Sequence, residues 1–200
     1  MLTHLRPALV LLALFIALTG VAYPFVMTGI AQMALSPQAN GTLIERNGTV
    51  VGSGLIGQPF TSERYFQPRP SATSAPDPKD PTKTVDAPYN AANSGGSNLG
   101  PTSKKLVERI KEDVAGLREE YSAAVVPADA ATTSASGLDP HISSDYALLQ
   151  VARVAKARGL PEQQVRALVE GRVEHPILGF VGEPRVNVLR LNLALDALQP

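Results

Sequence analysis

The chain has 200 residues, with 18 basic and 18 acidic side chains, no net charge, no cysteine and no tryptophan. A chain of this length can bury one core of ordinary size and carry an appendage. The even charge balance, with only five tyrosines and five phenylalanines, argues against a basic surface for stacking bases, so no nucleic-acid partner is expected. The lack of cysteine excludes disulfides, thiolate chemistry and cysteine-ligated zinc.

The N-terminal segment is strongly apolar, with no charged residue between Arg6 and Glu45. A membrane-spanning helix needs roughly 20 apolar residues, and residues 8–27 supply that length almost unbroken. A cleaved signal peptide ending near Gly29-Ile30-Ala31 is the alternative, but its apolar core is normally only ~7–15 residues long. The sequence therefore predicts a retained anchor over residues 1–35, with the span at about 8–27.

The orientation of this anchor is predicted from the charges that flank it. Arg6 precedes the span, whereas residues 32–42 beyond it carry no charge. Because positively charged flanks remain inside the cell, we expect a cytoplasmic N-terminus and an extracytoplasmic domain over residues 36–200.

The first part of this domain is predicted to hold a hairpin and a long loop. Asn47-Gly48 is a dipeptide typical of two-residue hairpin turns, and it predicts strands near Thr42–Arg46 and Thr49–Ile56. Residues 67–90 combine repeated prolines with small polar and charged residues, a composition that favours an extended, exposed Pro-rich loop without regular structure.

The second part is predicted to be mainly helical. From Thr102, apolar residues recur with a period near 3.6 and indicate an amphipathic helix packed on a core. A second helix is predicted with Asp139 as its N-cap, Pro140 at its first position and Gly159 as its stop. The apolar stripe of the first helix comprises Leu106, Ile110, Val114, Leu117 and Tyr121.

Two further helices complete the predicted domain. Pro161 can open the third, and Asn187 can cap a fourth near the C-terminus. Between them, Ile177–Val181 is predicted to form a short strand. The predicted fold class is therefore α+β: one transmembrane helix followed by a small extracytoplasmic α+β domain with a long Pro-rich loop.

Candidate catalytic and metal-binding residues carry only a weak signal. Ser134, Ser136, Asp139 and His141 include the residue types of a hydrolase triad, but residues so close in sequence seldom converge in the required order. The sequence also lacks a G-x-S-x-G nucleophile elbow and any H-E-x-x-H zinc pattern. We therefore predict no catalytic residue and no metal site in this chain.

The glycine-rich stretch before the first helix resembles an anion-binding loop, because backbone N–H groups and a helix dipole could both face a phosphate. A phosphate-binding loop, however, needs a lysine and a hydroxyl after its last glycine, whereas Pro101 and Thr102 follow Gly100. We predict an ordered structural loop leading into the helix, which shapes either the outer domain itself or its contact with a partner protein, since its small side chains allow close backbone approach. Its residues are Ser94, Gly95, Gly96, Ser97 and Asn98.

Gln150 and Arg153 share one face of a predicted helix. They could bind a polar ligand there, or they could simply be solvated.

Two hypotheses about function remain. The chain is either an accessory subunit of a membrane complex or a membrane-anchored extracytoplasmic binding protein or hydrolase.

Several segments, taken together, resemble one family, the KdpC subunits of the Kdp potassium-transporting P-type ATPase of bacteria and archaea. They occur in the family's order from the first residues to the last. The segments are LRPALVLL, TGVAYP, GSGLIGQPF, YFQPRPSA, YNAANSGGSNLGPT, TSASGLDPHIS, QVARVAKARGL and GEPRVNVLRLNLALDAL. Residues 73–88 depart from the family, which often has a shorter connection there.

The resemblance implies a non-catalytic subunit of the bacterial plasma (inner) membrane, needed for assembly of an ATP-driven potassium uptake complex. Its implied partners are the potassium-translocating pore subunit, the P-type ATPase catalytic subunit and a small single-span subunit. ATP, Mg²⁺ and potassium would be used by the complex, with none bound firmly by this chain.

The family has also been proposed to raise the pump's affinity for ATP through a helix with the pattern Q-x-x-R-V-A. The matching residues here are Gln150 and Arg153. The predicted orientation places that helix outside the cytoplasm, where ATP is scarce, and so argues against direct contact with ATP.

Overall fold

The computed structural model describes residues 2–176 and 178–198. The chain forms two compact units, one ending at Val51 and the other beginning at Gly52.

The N-terminal unit contains a long apolar helix in three consecutive parts. Helix α1 is Leu2–Phe15, a π-helical stretch is Ile16–Ala22, and helix α2 is Tyr23–Ala34. Pro24 has no N–H to donate to the preceding turn, and the widened π-helical turns lie directly before it. The 32 residues from Thr3 to Ala34 are apolar and long enough to cross a membrane, so the predicted span at 8–27 lies inside this helix.

After the short helix α3, Ser36–Ala39, this unit leads into the predicted hairpin. Strand β1, Leu43–Arg46, pairs with β2, Thr49–Ser53. Asn47 and Gly48 have φ values of 53° and 75°, the left-handed dihedrals that a two-residue hairpin turn requires. The hairpin is confirmed, although β2 ends at Ser53 and not at Ile56.

The C-terminal unit contains two small sheets. In the first, β3, Ser74–Pro76, pairs antiparallel with β4, Thr84–Asp86. The predicted absence of regular structure in residues 67–90 is therefore wrong. The hairpin forms because the Asp77 and Asp80 carboxylates accept backbone N–H groups within the connecting turn, and because Pro76 lies at the end of its strand.

The second sheet lies beside the core and has the strand order β5-β7-β6, with antiparallel pairing throughout. Its strands are β5, His141–Ser143, β6, Val173–Glu174, and β7, Arg185–Asn187.

Six helices are described in this unit. They are α4, Lys104–Tyr121, α5, Ala128–Ala131, α6, Ser144–Leu149, α7, Val151–Arg158, α8, Glu162–Glu170, and α9, Val188–Asp196. Among them, α5, α6 and α9 contact that sheet. The predicted starts of the third and fourth helices are confirmed, with Pro161 directly before α8 and the Asn187 side chain accepting the Arg190 N–H at 3.1 Å. Gly159 ends α7 with φ of 68°, as predicted.

The predicted start of the second helix is wrong. Asp139 is not its N-cap, because residues 141–143 form β5 and the Ser143 hydroxyl caps α6 by accepting the Tyr146 N–H at 3.0 Å. Ile142 is only 2% exposed and pairs with Val186 of β7, so a contact distant in sequence overrides the local helix signal.

The predicted strand at Ile177–Val181 is also incorrect. Ile177 lies outside the described residues, Leu178 to Phe180 form a turn, and Val181 makes only an isolated bridge. Positive φ values at Leu178, Gly179 and Gly182 prevent a continuous strand. The strand in this region is β6 instead.

The hydrophobic core lies between α6, α7, α8, α9 and one face of the β5-β7-β6 sheet. Helix α4 contributes Leu117 to it but has no fully buried residue of its own. The largest buried apolar side chains of the core are Phe66, Ile142, Val151, Val154, Val165, Val169, Val186, Leu191 and Leu195.

Candidate functional site

An irregular segment, residues 63–73, belongs to the C-terminal unit, and we call it the spine. Phe66 and Thr73 are buried in it, Glu63 and Arg64 are exposed, and the other residues are partly buried. The spine forms neither helix nor strand, and Pro68 and Pro70 cannot donate to a sheet ladder. Phe66, from the middle of this segment, is fully buried in the core. Buried backbone N–H and C=O groups need partners, so an irregular buried segment must obtain them from side chains.

Gln150 supplies the first set of these partners. It lies between α6 and α7 and is 0% exposed. Its amide oxygen accepts the Gln67 N–H at 2.7 Å, and its amide nitrogen donates to the Gln67 carbonyl at 3.0 Å. The same oxygen also accepts a hydrogen bond from the Arg153 guanidinium at 2.7 Å.

Asn192 of α9 holds the neighbouring residue in the same way. Its amide oxygen accepts the Phe66 N–H at 2.9 Å, and its amide nitrogen donates to the Phe66 carbonyl at 3.0 Å. Asn192 is 2% exposed. Two buried amides from different parts of the helical layer thus hold two consecutive backbone units, and we call Gln150 and Asn192 the amide clamp.

Arg153 continues this pattern along the spine. Its guanidinium donates to the carbonyls of Glu63 at 2.8 Å and Tyr65 at 3.1 Å. Its Nε–H points to the Tyr121 hydroxyl at 3.1 Å. Burial raises the pKa of Tyr121 to about 12 despite the nearby Arg153 charge, so the phenol stays neutral at physiological pH.

Arg158 binds the Arg64 carbonyl, which lies between the Glu63 and Tyr65 carbonyls that Arg153 binds. Its Nε donates to the Arg64 carbonyl at 2.7 Å, and its Nη2 donates to the Asp196 carboxylate at 2.7 Å. The guanidinium also lies 4.7 Å from the centre of the Tyr65 ring. Its side chain is only 3% exposed, so this ion pair belongs to the interior of the domain.

A cleft of about 810 Å³ opens beside Arg153. Three carboxylates line it, those of Glu63, Glu120 and Glu162, against the two cationic side chains of Arg153 and Lys156. One of those carboxylates, Glu120, lies 3.5 Å from the Arg153 Nε. A nucleoside triphosphate needs an excess of positive charge or free backbone N–H groups, so these residues do not fit its phosphates.

The structure thus brings the two predicted residues Gln150 and Arg153 together. The alternative in which Gln150 is solvated is wrong for that residue, since its side chain is buried. Its proposed role in ATP affinity stays a prediction. Asn192 was missed by sequence reasoning, although an amide inside the apolar helix sequence VLRLNLAL was a signal for it.

The glycine-rich loop approaches another part of the same chain. The Gly95 N–H and the Ser94 hydroxyl both donate to the Ser136 carbonyl at 2.9 Å. A Cβ on Gly96 would lie 2.9 Å from the Ala135 carbonyl oxygen, whereas one on Gly95 would meet nothing within 4 Å. The glycine-rich loop therefore packs closely against residues 134–137 of its own chain. Contact of Ser94–Asn98 with a partner protein stays a prediction.

This difference between the two glycines is testable. We expect Gly96→Val to destabilise the full chain by about 1–3 kcal/mol, because its Cβ would overlap backbone that cannot move independently. Gly95→Val is the matched control and should change stability by no more than about 0.5 kcal/mol. Urea unfolding in detergent compares them, and equal losses would show that the loop does not dock on Ala135.

A polar network lies at the other end of the spine. The Arg69 guanidinium contacts the Asp139 carboxylate at 3.0 Å, and His141 lies 3.6 Å from both Asp139 and Glu174. Burial would raise the pKa of Asp139, but hydrogen bonds from His141 and Arg69 outweigh it and keep that pKa below its usual value. Arg69 and Asp139 line two adjoining cavities, of about 550 and 600 Å³.

The residues considered for a hydrolase triad do not form one. The Ser134 hydroxyl accepts the Gly137 N–H at 2.8 Å and the Ser136 hydroxyl accepts the Leu138 N–H at 3.1 Å, so both serve the local turn. Across residues 2–176 and 178–198, no hydrogen bond joins either hydroxyl to His141, and no group of three or more potential metal ligands lies together.

Comparison with known proteins identifies the class. Within the residues that the structure describes, one helix is apolar and long enough to span a membrane, which is consistent with a membrane-anchored protein. The family model described as "K+-transporting ATPase, c chain" matches residues 5–197. The chain therefore belongs to the KdpC family of the potassium-transporting ATPase.

Relatives along the whole length agree with this assignment. A protein of Bradyrhizobium diazoefficiens named "Potassium-transporting ATPase KdpC subunit" is 63% identical over 196 residues, which is 98% of each chain. A protein of the same name from Rhodopseudomonas palustris strain CGA009 is 60% identical over the full length of both chains. One from Methylobacterium nodulans is 61% identical over 198 residues, covering 99% of this chain and 98% of its own.

Proposed function

We propose that this chain is the non-catalytic accessory subunit of an ATP-driven, high-affinity potassium uptake complex of the bacterial inner membrane. The single span anchors it with a cytoplasmic N-terminus, and the α+β domain acts outside the cytoplasm. Its partners are the potassium-translocating pore subunit, the P-type ATPase catalytic subunit and the small single-span subunit. The chain supports assembly of the complex, and ATP, Mg²⁺ and potassium bind to the other subunits.

One observation carries this proposal. Gln150, which matches the glutamine of the family's helix pattern, and its neighbour Arg153 both bind the backbone of the chain's own spine, at residues 63–67. A domain whose most buried polar groups serve its own fold is suited to presenting a fixed surface to neighbouring subunits. It is less suited to substrate turnover, which needs free groups facing a reacting molecule.

A pulldown with the tagged chain from native membranes tests the proposal, followed by a potassium-stimulated ATPase assay on the eluate. We expect the pore and ATPase subunits to copurify and the activity to be lost when this chain is omitted. If the chain elutes alone and intact, the alternative of an anchored extracytoplasmic binding protein or hydrolase replaces the proposal.

The span gives a second prediction about assembly. Gly20 is exposed in the isolated chain, and a side chain there would meet only Ile16, at 4.0 Å. Small residues let membrane helices approach closely, so we expect Gly20→Leu to reduce copurification of the other subunits several-fold. Gly29→Leu is the control, because Gly29 lies nine residues later in α2, on a different face of the helix from Gly20. Equal copurification in both variants would rule out packing through Gly20.

A further inference from the structure

We infer that Gln150 and Asn192 act as one positioning device, the amide clamp, and that any requirement for Gln150 in the ATP response of the complex is exerted through the spine. The inference rests on the proposed function, because it concerns the chain inside the working complex. It assigns a role to Asn192, and it replaces nucleotide contact at Gln150 with control of backbone position.

The Gln150 amide oxygen has no acceptor capacity left for a ligand. An amide oxygen has two lone pairs, and here they accept the Gln67 N–H and the Arg153 guanidinium. The amide nitrogen donates to the Gln67 carbonyl, and the whole residue is 0% exposed. A nucleotide could contact this amide only after the spine had been displaced.

Asn192 repeats the hydrogen-bond geometry of Gln150 at the neighbouring residue of the spine. Asn192 binds the N–H and C=O of Phe66 just as Gln150 binds those of Gln67, although the two amides are more than 40 residues apart in sequence. Neither Gln150 nor Asn192 lines the cleft beside Arg153. A ligand site in that cleft would therefore use neither amide directly, whereas a device that fixes residues 66–67 needs both.

The residues that follow the clamp along the spine connect it to the loop at residues 132–139. Two residues after Gln67, the Arg69 guanidinium donates to the Thr132 carbonyl at 3.3 Å and contacts Asp139. Four residues after Gln67, the Ser71 hydroxyl donates to the Gly137 carbonyl at 2.7 Å. The position of residues 66–67 therefore sets the position of the loop at 132–139 and of the two cavities lined by Arg69.

The test compares isosteric substitutions in the purified complex. Gln150→Glu and Asn192→Asp keep size and shape, but each puts a carboxylate oxygen against a backbone carbonyl that formerly accepted a hydrogen bond. Gln163→Glu, on the exposed side of α8, is the control for added charge. Lys156→Gln removes the exposed lysine of the cleft without touching the clamp.

Three quantities are measured for each variant: the thermal midpoint of this chain within the complex, the KM for ATP of the potassium-stimulated ATPase, and labelling of this chain by a photoreactive azido analogue of ATP. We expect both Gln150→Glu and Asn192→Asp to lower the midpoint, by about 3–10 °C, and to change KM in the same direction. The decrease should be smaller for Gln150→Glu, because the new carboxylate can pair with the Arg153 guanidinium that already donates to this oxygen. The wild-type chain should not be labelled. Gln163→Glu and Lys156→Gln should match the wild type in both midpoint and KM.

Other results would overturn the inference. A KM raised several-fold by Gln150→Glu and Lys156→Gln but not by Asn192→Asp, or ATP-protectable labelling of the wild-type chain, would indicate a nucleotide site in the cleft. A normal midpoint in Gln150→Glu or Asn192→Asp would show that the clamp does not position the spine. Failure of the wild-type chain to copurify with an ATPase would instead contradict the proposed function, which separates the two claims.

Discussion

Replacement of Phe66 by alanine is expected to lower the free energy of unfolding by about 3–5 kcal/mol, the usual cost of deleting a buried aromatic side chain. Phe66 is 0% exposed and lies in the core, whose other members come mainly from α6 to α9 and the sheet, so the cavity left behind is apolar and would stay dry. Its own backbone is held by Asn192, which prevents the spine from moving inwards to close the cavity.

Urea unfolding of the full chain in detergent measures this loss. Phe180→Ala is the matched control, because Phe180 is 78% exposed and its truncation should change stability by no more than about 0.5 kcal/mol. We expect the Phe66→Ala subunit to be poorly represented in the purified complex, and the Phe180→Ala subunit to retain wild-type stability. A loss below about 1 kcal/mol at Phe66 would show that the spine is not part of the core.

The second large effect is expected at the ion pair of α9. Asp196→Ala removes the carboxylate 2.7 Å from the Arg158 guanidinium, whose side chain is 3% exposed. Because an interior charge then loses its counter-charge, we expect a loss of about 2–4 kcal/mol. Asp113→Ala is the control: it breaks a pair at 3.9 Å whose side chains are 29% and 37% exposed, and should cost no more than about 0.5 kcal/mol.

A double-mutant cycle distinguishes ion pairing from packing at this position. If the charge of Arg158 is the cause, Arg158→Met in the Asp196→Ala background will cost less than Arg158→Met in the wild type, with a coupling of about 1–3 kcal/mol. Strict additivity of the two losses in urea unfolding would show that the pair does not couple.

Local signals in the sequence predicted the elements that local physics determines. Asn47-Gly48 specifies its hairpin turn because both residues tolerate positive φ, and Asn187 specifies the start of α9 because its side chain reaches the Arg190 N–H. Gly159 ends α7 for the same kind of reason. In each case the interacting groups lie within four residues of one another.

The errors arose where the partner is distant in sequence. Asp139 and Pro140 form a good helix start on their own, yet residues 141–143 pair with a strand more than 40 residues later, and this pairing determines the backbone. Residues 177–181 have the composition of a buried strand, but Leu178 and Gly179 adopt positive φ and Phe180 stays exposed. Composition cannot report which apolar segment finds a partner.

Of the candidate site, the sequence predicted Gln150 and Arg153 but not the residues that they contact, because those lie far away along the chain. Gln150 and Arg153 could be paired from helical spacing, and the family resemblance drew attention to them. Their real partner is backbone more than 80 residues earlier, and Asn192 is 126 residues from the Phe66 that it holds. No periodicity or motif encodes such contacts, although an amide in an otherwise apolar helix marks a residue that must find a buried partner.

The side of the membrane on which the folded domain lies decides whether Gln150 could meet cytoplasmic ATP at all, and it is a central part of the proposed function. Because the chain has no cysteine, a single introduced thiol is a unique label. Val125→Cys places it at a side chain 78% exposed in the domain, and Thr3→Cys places it at the start of the long apolar helix.

Labelling of intact cells with a membrane-impermeant maleimide, before and after permeabilisation, reads the orientation of the chain within the assembled complex. We predict that Val125→Cys reacts in intact cells, whereas Thr3→Cys reacts only after permeabilisation. The reverse pattern would place the domain in the cytoplasm with ATP, and would contradict both the proposed orientation and its argument against nucleotide contact at Gln150.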